Sequence, residues 1–194
     1  KLSVIVNMLN VVDNLIIGGG MAYTFIKNNG GSIGDSIFEK DCLNDCTKII
    51  EQARNKGVNI YLPTDVIASN EFSDTSLKKE INIYEIPEGW QGLDIGTKTR
   101  NEFEKIIFLS KTILWNGPMG VFEMSSFEHG TKEVAIAVAK ATTQGAFSLV
   151  GGGDSVAAIK KFKLEQSISC ISTGGGAMLE SLEGKVLPGI KALT

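Results

Sequence analysis

The chain is short of most features that would mark a specialised protein class. Its 194 residues hold three cysteines, four prolines and one histidine. A sparse, odd cysteine count excludes a disulfide scaffold and predicts a reducing compartment. No apolar run approaches the roughly 18 residues that a membrane span requires. Basic excess is also missing: 19 Lys and Arg stand against 22 Asp and Glu, a net charge of −3. That balance excludes the clustered cationic footprint of a nucleic-acid binder. No signal-like segment opens the chain. Helically spaced Leu2, Val4, Ile5, Met8, Leu9 and Val12 instead start almost at Lys1, which predicts a piece of a longer protein. With 43% apolar and 21% charged residues the composition is that of an ordinary globular domain. A chain this long buries roughly 70% of its unfolded surface, enough for a real core.

Glycine is in excess. Its 22 copies make about 11% of the chain, against a usual roughly 7%. Nine of them form three triplets: Gly18–Gly20, 151–153 and Gly174–Gly176. Each triplet stands where a short apolar run gives way to an amphipathic stretch. Strands are predicted at Asn14–Ile17, Val58–Leu62, Ile81–Ile86, Ile113–Trp115, Phe147–Val150 and Ile168–Ile171. Helices are predicted at Met21–Lys27, Glu39–Lys56, Thr99–Ser110, Phe127–Thr143, Asp154–Phe162 and Ala177–Leu182. The alternation implies βαβ units and a mainly parallel sheet covered on both faces, in one domain.

In such a sheet, ligands bind beyond the carboxyl ends of the strands. Three consecutive glycines let backbone N–H groups approach an anion, and the following helix adds its partial positive charge. Tight packing and sharp turns are the alternative. Three triplets in one context favour a polyanion site on one sheet edge. None continues as G-x-G-x-x-G, and no G-x-x-x-x-G-K-[ST] exists, so a dinucleotide dehydrogenase and a P-loop enzyme are disfavoured. Asp154 and Ser155 follow the second triplet. Asp154 reads either as a helix N-cap or as a ligand of Mg2+ between carboxylate and phosphate. Ser155 would donate from its hydroxyl or its backbone N–H. Trp115–Glu123 reads as a strand end, a tight turn and an apolar stretch closed by one acid. Glu123 would accept from ribose hydroxyls, and Ile37, Val121 and Gly92-Leu93 would line a base slot; loop packing is the alternative. Cys42 and Cys46 share a helix without the partners zinc needs and read as packed thiols, as does Cys170 in a strand. Lys160, Lys161 and Lys163 read as a solvated helix end, Trp90 as a packed turn residue, and His129 as a surface residue at a helix start.

Taken together, these motifs resemble the C-terminal half of the phosphoglycerate kinase family. The resemblance rests on Leu15–Ala22, Ile86–Asp94, Leu114–Glu123, Val150–Ser155, Ser172–Glu180 and Leu182–Gly189, and covers nearly the whole chain. Ser155 stands where threonine is common in the family, and Met119 where valine is common. The resemblance implies a Rossmann-like three-layer αβα sandwich with a mainly parallel sheet, one domain of a two-domain hinge kinase. It implies reversible phosphoryl transfer between 1,3-bisphosphoglycerate and ADP, giving 3-phosphoglycerate and ATP, in a cytoplasmic, monomeric full-length enzyme. Its cofactor is Mg2+ with ADP or ATP. Gly19, Gly20, Ile37, Gly92 and Leu93 would form the adenine pocket. Asn116, Gly117, Pro118, Val121 and Phe122 would wall the nucleotide, with Glu123 on the ribose. Gly152, Gly153 and Ser155 would hold phosphates, and Asp154 the metal. Lys1, Gly153, Gly175 and Gly176 would stabilise the phosphoryl group in transit. The phosphoglycerate-binding domain and its arginine lie outside residues 1–194, so the chain alone is expected to bind Mg-nucleotide weakly and not to turn over. A nucleotide-binding module of the same fold without catalysis is the rival reading.

Overall fold

The computed structural model describes residues 2–185 and residue 191. The elements run α1 (Leu2–Met8), β1 (Asn14–Ile16), α2 (Gly19–Asn28), β2 (Ser32–Ile33), α3 (Leu43–Lys56), β3 (Asn59–Tyr61), β4 (Asp65–Ser69), β5 (Lys78–Asn82), β6 (Glu85–Ile86) and β7 (Gln91–Ile95). They continue α4 (Thr97–Leu109), β8 (Thr112–Trp115), α5 (His129–Thr143), β9 (Phe147–Gly151), α6 (Gly153–Lys161), β10 (Cys170–Ser172) and α7 (Gly175–Leu182).

The period-2 alternation of strand side chains sets the layers. On β1 and β3, Leu15 and Ile60 turn to one side, onto a core built on Phe25, Cys46, Ile49 and Ala53 of α2 and α3. Ile16 and Tyr61 turn to the other, onto Phe103, Val134, Val138 and Ile159 of α4, α5 and α6. Strands with helices on both faces make the Rossmann-like α/β sandwich. A third core, with Ile26, Val66, Ala68, Ile83 and Ile86, fills the space between α2 and an antiparallel strand group.

Parallel pairing predominates, but not in one sheet. Among the described residues β1 pairs with β3, β2 with β6, and β8, β9 and β10 form the order β10-β9-β8, all parallel. β5, β4 and β7 form an antiparallel ladder. β4 and β7 are absent from the strands expected above. β4 is buried on nearly every residue and shows no alternation, while β7 carries Gly92 and Asp94 within its span. The single strand expected over Ile81–Ile86 is split, because the Asn82 Oδ1 accepts the Tyr84 N–H at 3.0 Å and turns the chain. The helix expected from Glu39 begins at Leu43: Glu39 is extended, its N–H donating to the Thr24 hydroxyl at 3.1 Å, and a 3-10 turn follows. Likewise α5 starts at His129, after a 3-10 turn that buries Phe127. Cys46 is buried as expected, but Cys170, at the start of β10, is exposed.

Candidate functional site

All three glycine triplets hand a strand to a helix: β1 to α2, β9 to α6 and β10 to α7. The first intrahelical bonds of α6 and α7 run from Val156 N–H to Gly152 C=O (3.0 Å) and from Met178 N–H to Gly174 C=O (2.9 Å). The N–H groups of residues 153–155 and 175–177 therefore have no acceptor within their own helices. Each cluster sits at the positive end of a helix dipole.

The triplets do not share one sheet edge, since β1 and β9–β10 belong to separate ladders. The turn Asn116–Met119 joins them instead. Asn116 Nδ2 donates to the Gly151 carbonyl at 2.8 Å, and Gly117 N–H donates to the Ser155 hydroxyl at 2.6 Å. Trp115 Nε1 donates to the Gly117 carbonyl at 2.7 Å and fixes the turn. Gly152 has φ +92°, and a Cβ there would lie 2.6 Å from Asn116 Nδ2. On the other side, a Cβ on Gly19 would lie 2.7 Å from the Pro118 carbonyl, and one on Gly18 would strike the Met119 sulfur. The third triplet closes the array: a Cβ on Gly175 would lie 2.9 Å from the Gly152 Cα. Close packing thus accounts for Gly18, Gly19, Gly152 and Gly175. It does not account for Gly153, Gly174 and Gly176, where a Cβ would meet no atom within 4 Å.

Asp154 is exposed in the first turn of α6 and makes no capping bond; Gly152 occupies the N-cap position. Its carboxylate is therefore not committed to the helix end, and a single free carboxylate beside backbone donors suits a phosphate-bound Mg2+. Among the described residues no group of three or more His, Cys, Asp or Glu converges on a common point. Ser155 is fully buried and its hydroxyl oxygen accepts from Gly117, which turns the side chain toward the 116–119 turn and leaves the backbone N–H at the open helix start.

The slot expected for a base is partly assembled. A Cβ on Gly20 would lie 2.5 Å from Ile37 Cδ1, and Ile37 is 71% exposed. Gly92 leaves room for the Tyr23 hydroxyl behind it. Val121 is tied to β7 by its N–H to the Leu93 carbonyl, 2.8 Å, whereas the Leu93 side chain is buried. Phe122 is also buried; its carbonyl accepts Lys161 Nζ at 2.6 Å, and that ammonium lies 2.6 Å from Glu128 Oε2. Glu123 is exposed. Lys1 lies outside the described residues.

Sequence reasoning passed over the residues that brace this turn. Thr131, buried in the first turn of α5, accepts the N–H groups of Met119 (3.0 Å) and Gly120 (3.2 Å). Asp94 is 1% exposed and accepts from the Gly130 N–H at 2.7 Å and its neighbour Ile95 N–H at 2.9 Å. Burial pushes its carboxyl up to about 7, against the pull of those two N–H groups and of Arg100. Asp65 plays the matching part for α4, accepting from Lys98 N–H, Thr99 N–H and the Thr99 hydroxyl at 2.9, 2.8 and 2.6 Å. Burial works against its charge, but these donors outweigh it and hold the carboxyl below the usual range. The available signal was an aspartate inside an apolar strand, which must have a buried partner. A cavity of about 380 Å3, lined by residues of β4, β5, α4 and the start of α5, including His129, contains none of the predicted site residues. No helix among the described residues is long and apolar enough to cross a membrane.

The family model for phosphoglycerate kinase matches residues 1–185. A phosphoglycerate kinase of Porphyromonas gingivalis is 51% identical over 193 residues, which is 100% of this chain and 46% of that protein. The structure of phosphoglycerate kinase from Coxiella burnetii superposes with a TM-score of 0.95 at 44% identity, covering 100% of this chain and 49% of the other. That of phosphoglycerate kinase from Pyrococcus horikoshii OT3 gives 0.82 at 32% identity, over 99% and 48%. The chain spans about half the length of these relatives.

Proposed function

This chain belongs to the phosphoglycerate kinase family, and on that premise we propose that it carries the Mg-ADP/ATP site of such a kinase. The observation that carries the proposal is the meeting of three strand–glycine–helix turns around Asn116–Met119, with glycines 153, 174 and 176 facing open space. The remaining half of the kinase would hold 1,3-bisphosphoglycerate or 3-phosphoglycerate and supply the arginine, and closure of a hinge would bring the two substrates in line.

In this reading Gly19, Gly20, Ile37, Gly92 and Val121 receive the adenine, and Glu123 accepts from the ribose. The N–H groups of Gly153, Asp154 and Ser155 hold the nucleotide phosphates, and those of Gly175 and Gly176 face the phosphoryl group in transit. Asp154 is the residue that would hold Mg2+. The ion, when bound, neutralises charge developing on the phosphate oxygens. Little covalent chemistry falls to the protein in phosphoryl transfer; positioning and charge stabilisation supply the rate. That agrees with a site whose donors are backbone N–H groups.

Titration with ADP by calorimetry tests this, in Mg2+ and in excess chelator, on the wild type and Asp154→Asn. Binding that strengthens with Mg2+ in the wild type only is expected. Equal Mg2+ dependence in Asp154→Asn would remove the metal from Asp154. No ADP binding by folded protein would reduce the glycine turns to architecture.

A further inference from the structure

Asp94 is fixed at a three-way junction. It lies on β7 directly after Gly92 and Leu93. Its Oδ2 accepts the Gly130 N–H at 2.7 Å, in the first turn of α5. Glycines at 120 and 130 leave the space its carboxylate fills, since a Cβ on either would collide with Oδ1. The same turn of α5 holds Met119 and Gly120 through Thr131, and Leu93 holds Val121 through its carbonyl. One buried carboxylate therefore ties together the β7 wall, the 116–123 turn and a helix start.

We propose that Asp94 is a positioning residue for the nucleoside, and that its ionised form closes the clasp which sets β7 against residues 119–123. The proposal rests on the reading that these segments form the adenine and ribose pocket. As a carboxylate, Asp94 offers both oxygens to N–H groups and complements the positive end of α5. Once protonated it loses that charge, and one oxygen becomes a donor facing two glycine Cα atoms and N–H groups that need acceptors. The clasp then loosens. The charged and titratable groups facing it are few. Arg100 of α4 favours the ionised form and Glu133 of α5 opposes it. The Tyr23 hydroxyl of α2 lies behind Gly92, held un-ionised by its burial and, secondarily, by the charge of Asp94. His129 adjoins Gly130 and is exposed. Burial places the Asp94 titration in the neutral range, so nucleoside affinity rises with pH and binding releases a proton.

The test uses adenosine, which has no phosphate titrating near neutrality and probes only the base and ribose pocket. Its affinity for the full protein containing this chain would be measured across pH by calorimetry, in two buffers of different ionisation enthalpy. Expected is binding about fivefold weaker at about pH 5.5 than at about pH 8, with proton release on binding. Asp94→Asn should hold the affinity at the low-pH level with no proton release, while His129→Gln keeps the wild-type profile. If Asp94→Asn does not fold, the wild-type and His129→Gln profiles alone decide. A flat wild-type profile, or one that disappears in His129→Gln, overturns the clasp while leaving the nucleotide pocket standing. Absence of adenosine and ADP binding at every pH overturns the pocket and the clasp together.

Discussion

Gly152 and Gly153 are adjacent glycines with opposite environments, and replacing each by alanine should give opposite results. Gly152 sits at φ +92°, with Asn116 Nδ2 only 2.6 Å from the position of a Cβ. Alanine there strains the backbone by about 1–3 kcal/mol. It also displaces the Asn116 amide from the Gly151 carbonyl, whose bond contributes about 1 kcal/mol net. A total of roughly 2–4 kcal/mol lowers the melting temperature of a domain this size by roughly 5–15 °C. Gly153 begins α6, and a Cβ there would meet nothing within 4 Å. Alanine at this position should leave stability unchanged or raise it by up to about 1 kcal/mol, because glycine is the poorer helix former. Yet the new methyl group stands where the proposed phosphates approach. Crowding of about 1–3 kcal/mol would weaken ADP roughly 5- to 150-fold. Thermal or urea unfolding and ADP calorimetry on both variants provide the readout. A Gly152→Ala protein as stable as the wild type would refute the geometric part. A Gly153→Ala protein that binds ADP normally would refute the claim that the open glycines are kept for a ligand.

Two further expectations concern the buried aspartates, which act with opposite sign. The Asp94 carboxyl is raised from its ordinary 3.8 to about 7, so between these values the folded protein keeps a proton that the unfolded chain has released. Because the cost of burying the charge outweighs the hydrogen bonds that the ionised form gains in the clasp, its contribution to global stability is full below about pH 4, falls by roughly 4 kcal/mol as pH rises to about 7, and is flat beyond; urea midpoints across pH should show this slope, and Asp94→Asn should remove it. Asp65 is held below its ordinary value, so its contribution is present above that value and lost as pH falls through the depressed one. Asp65→Ala leaves the N–H groups of Lys98 and Thr99 without acceptors and should cost about 3 kcal/mol at neutral pH, measured by urea unfolding.

Helices and the glycine turns were readable in the sequence because both have local signatures. The apolar stripe Cys46–Ile49–Ala53 marks α3 through its period, and Gly57 marks its end. The Val150–Ser155 run shows its strand, turn and helix within six residues. What stayed hidden depends on partners far along the chain. β4 has no alternation because both its faces are covered, by α2 on one side and by neighbouring elements on the other. Whether a Ser155 hydroxyl faces a ligand or a backbone N–H depends on Gly117, 38 residues away. Phe122 and Leu93 read as pocket walls from their motifs, but apolar side chains of that size are drawn into a core when one lies beneath them. The roles of Asp65 and Asp94 follow from the same distance problem.

Those two aspartates also link the stability of two helix starts to that of one ladder. α4 and α5, of 13 and 15 residues, pack against each other, yet neither carries a side-chain cap of its own; the flanking Gly96 and Glu128 make none. Their first turns are held from 34 and 36 residues upstream, by neighbouring strands of one antiparallel ladder. Because their acceptors sit on paired strands of the ladder, the amides of Lys98, Thr99 and Gly130 are expected to exchange with solvent at the rate at which the β4–β7 ladder opens. Exchange faster than that of the ladder's own amides would refute the coupling.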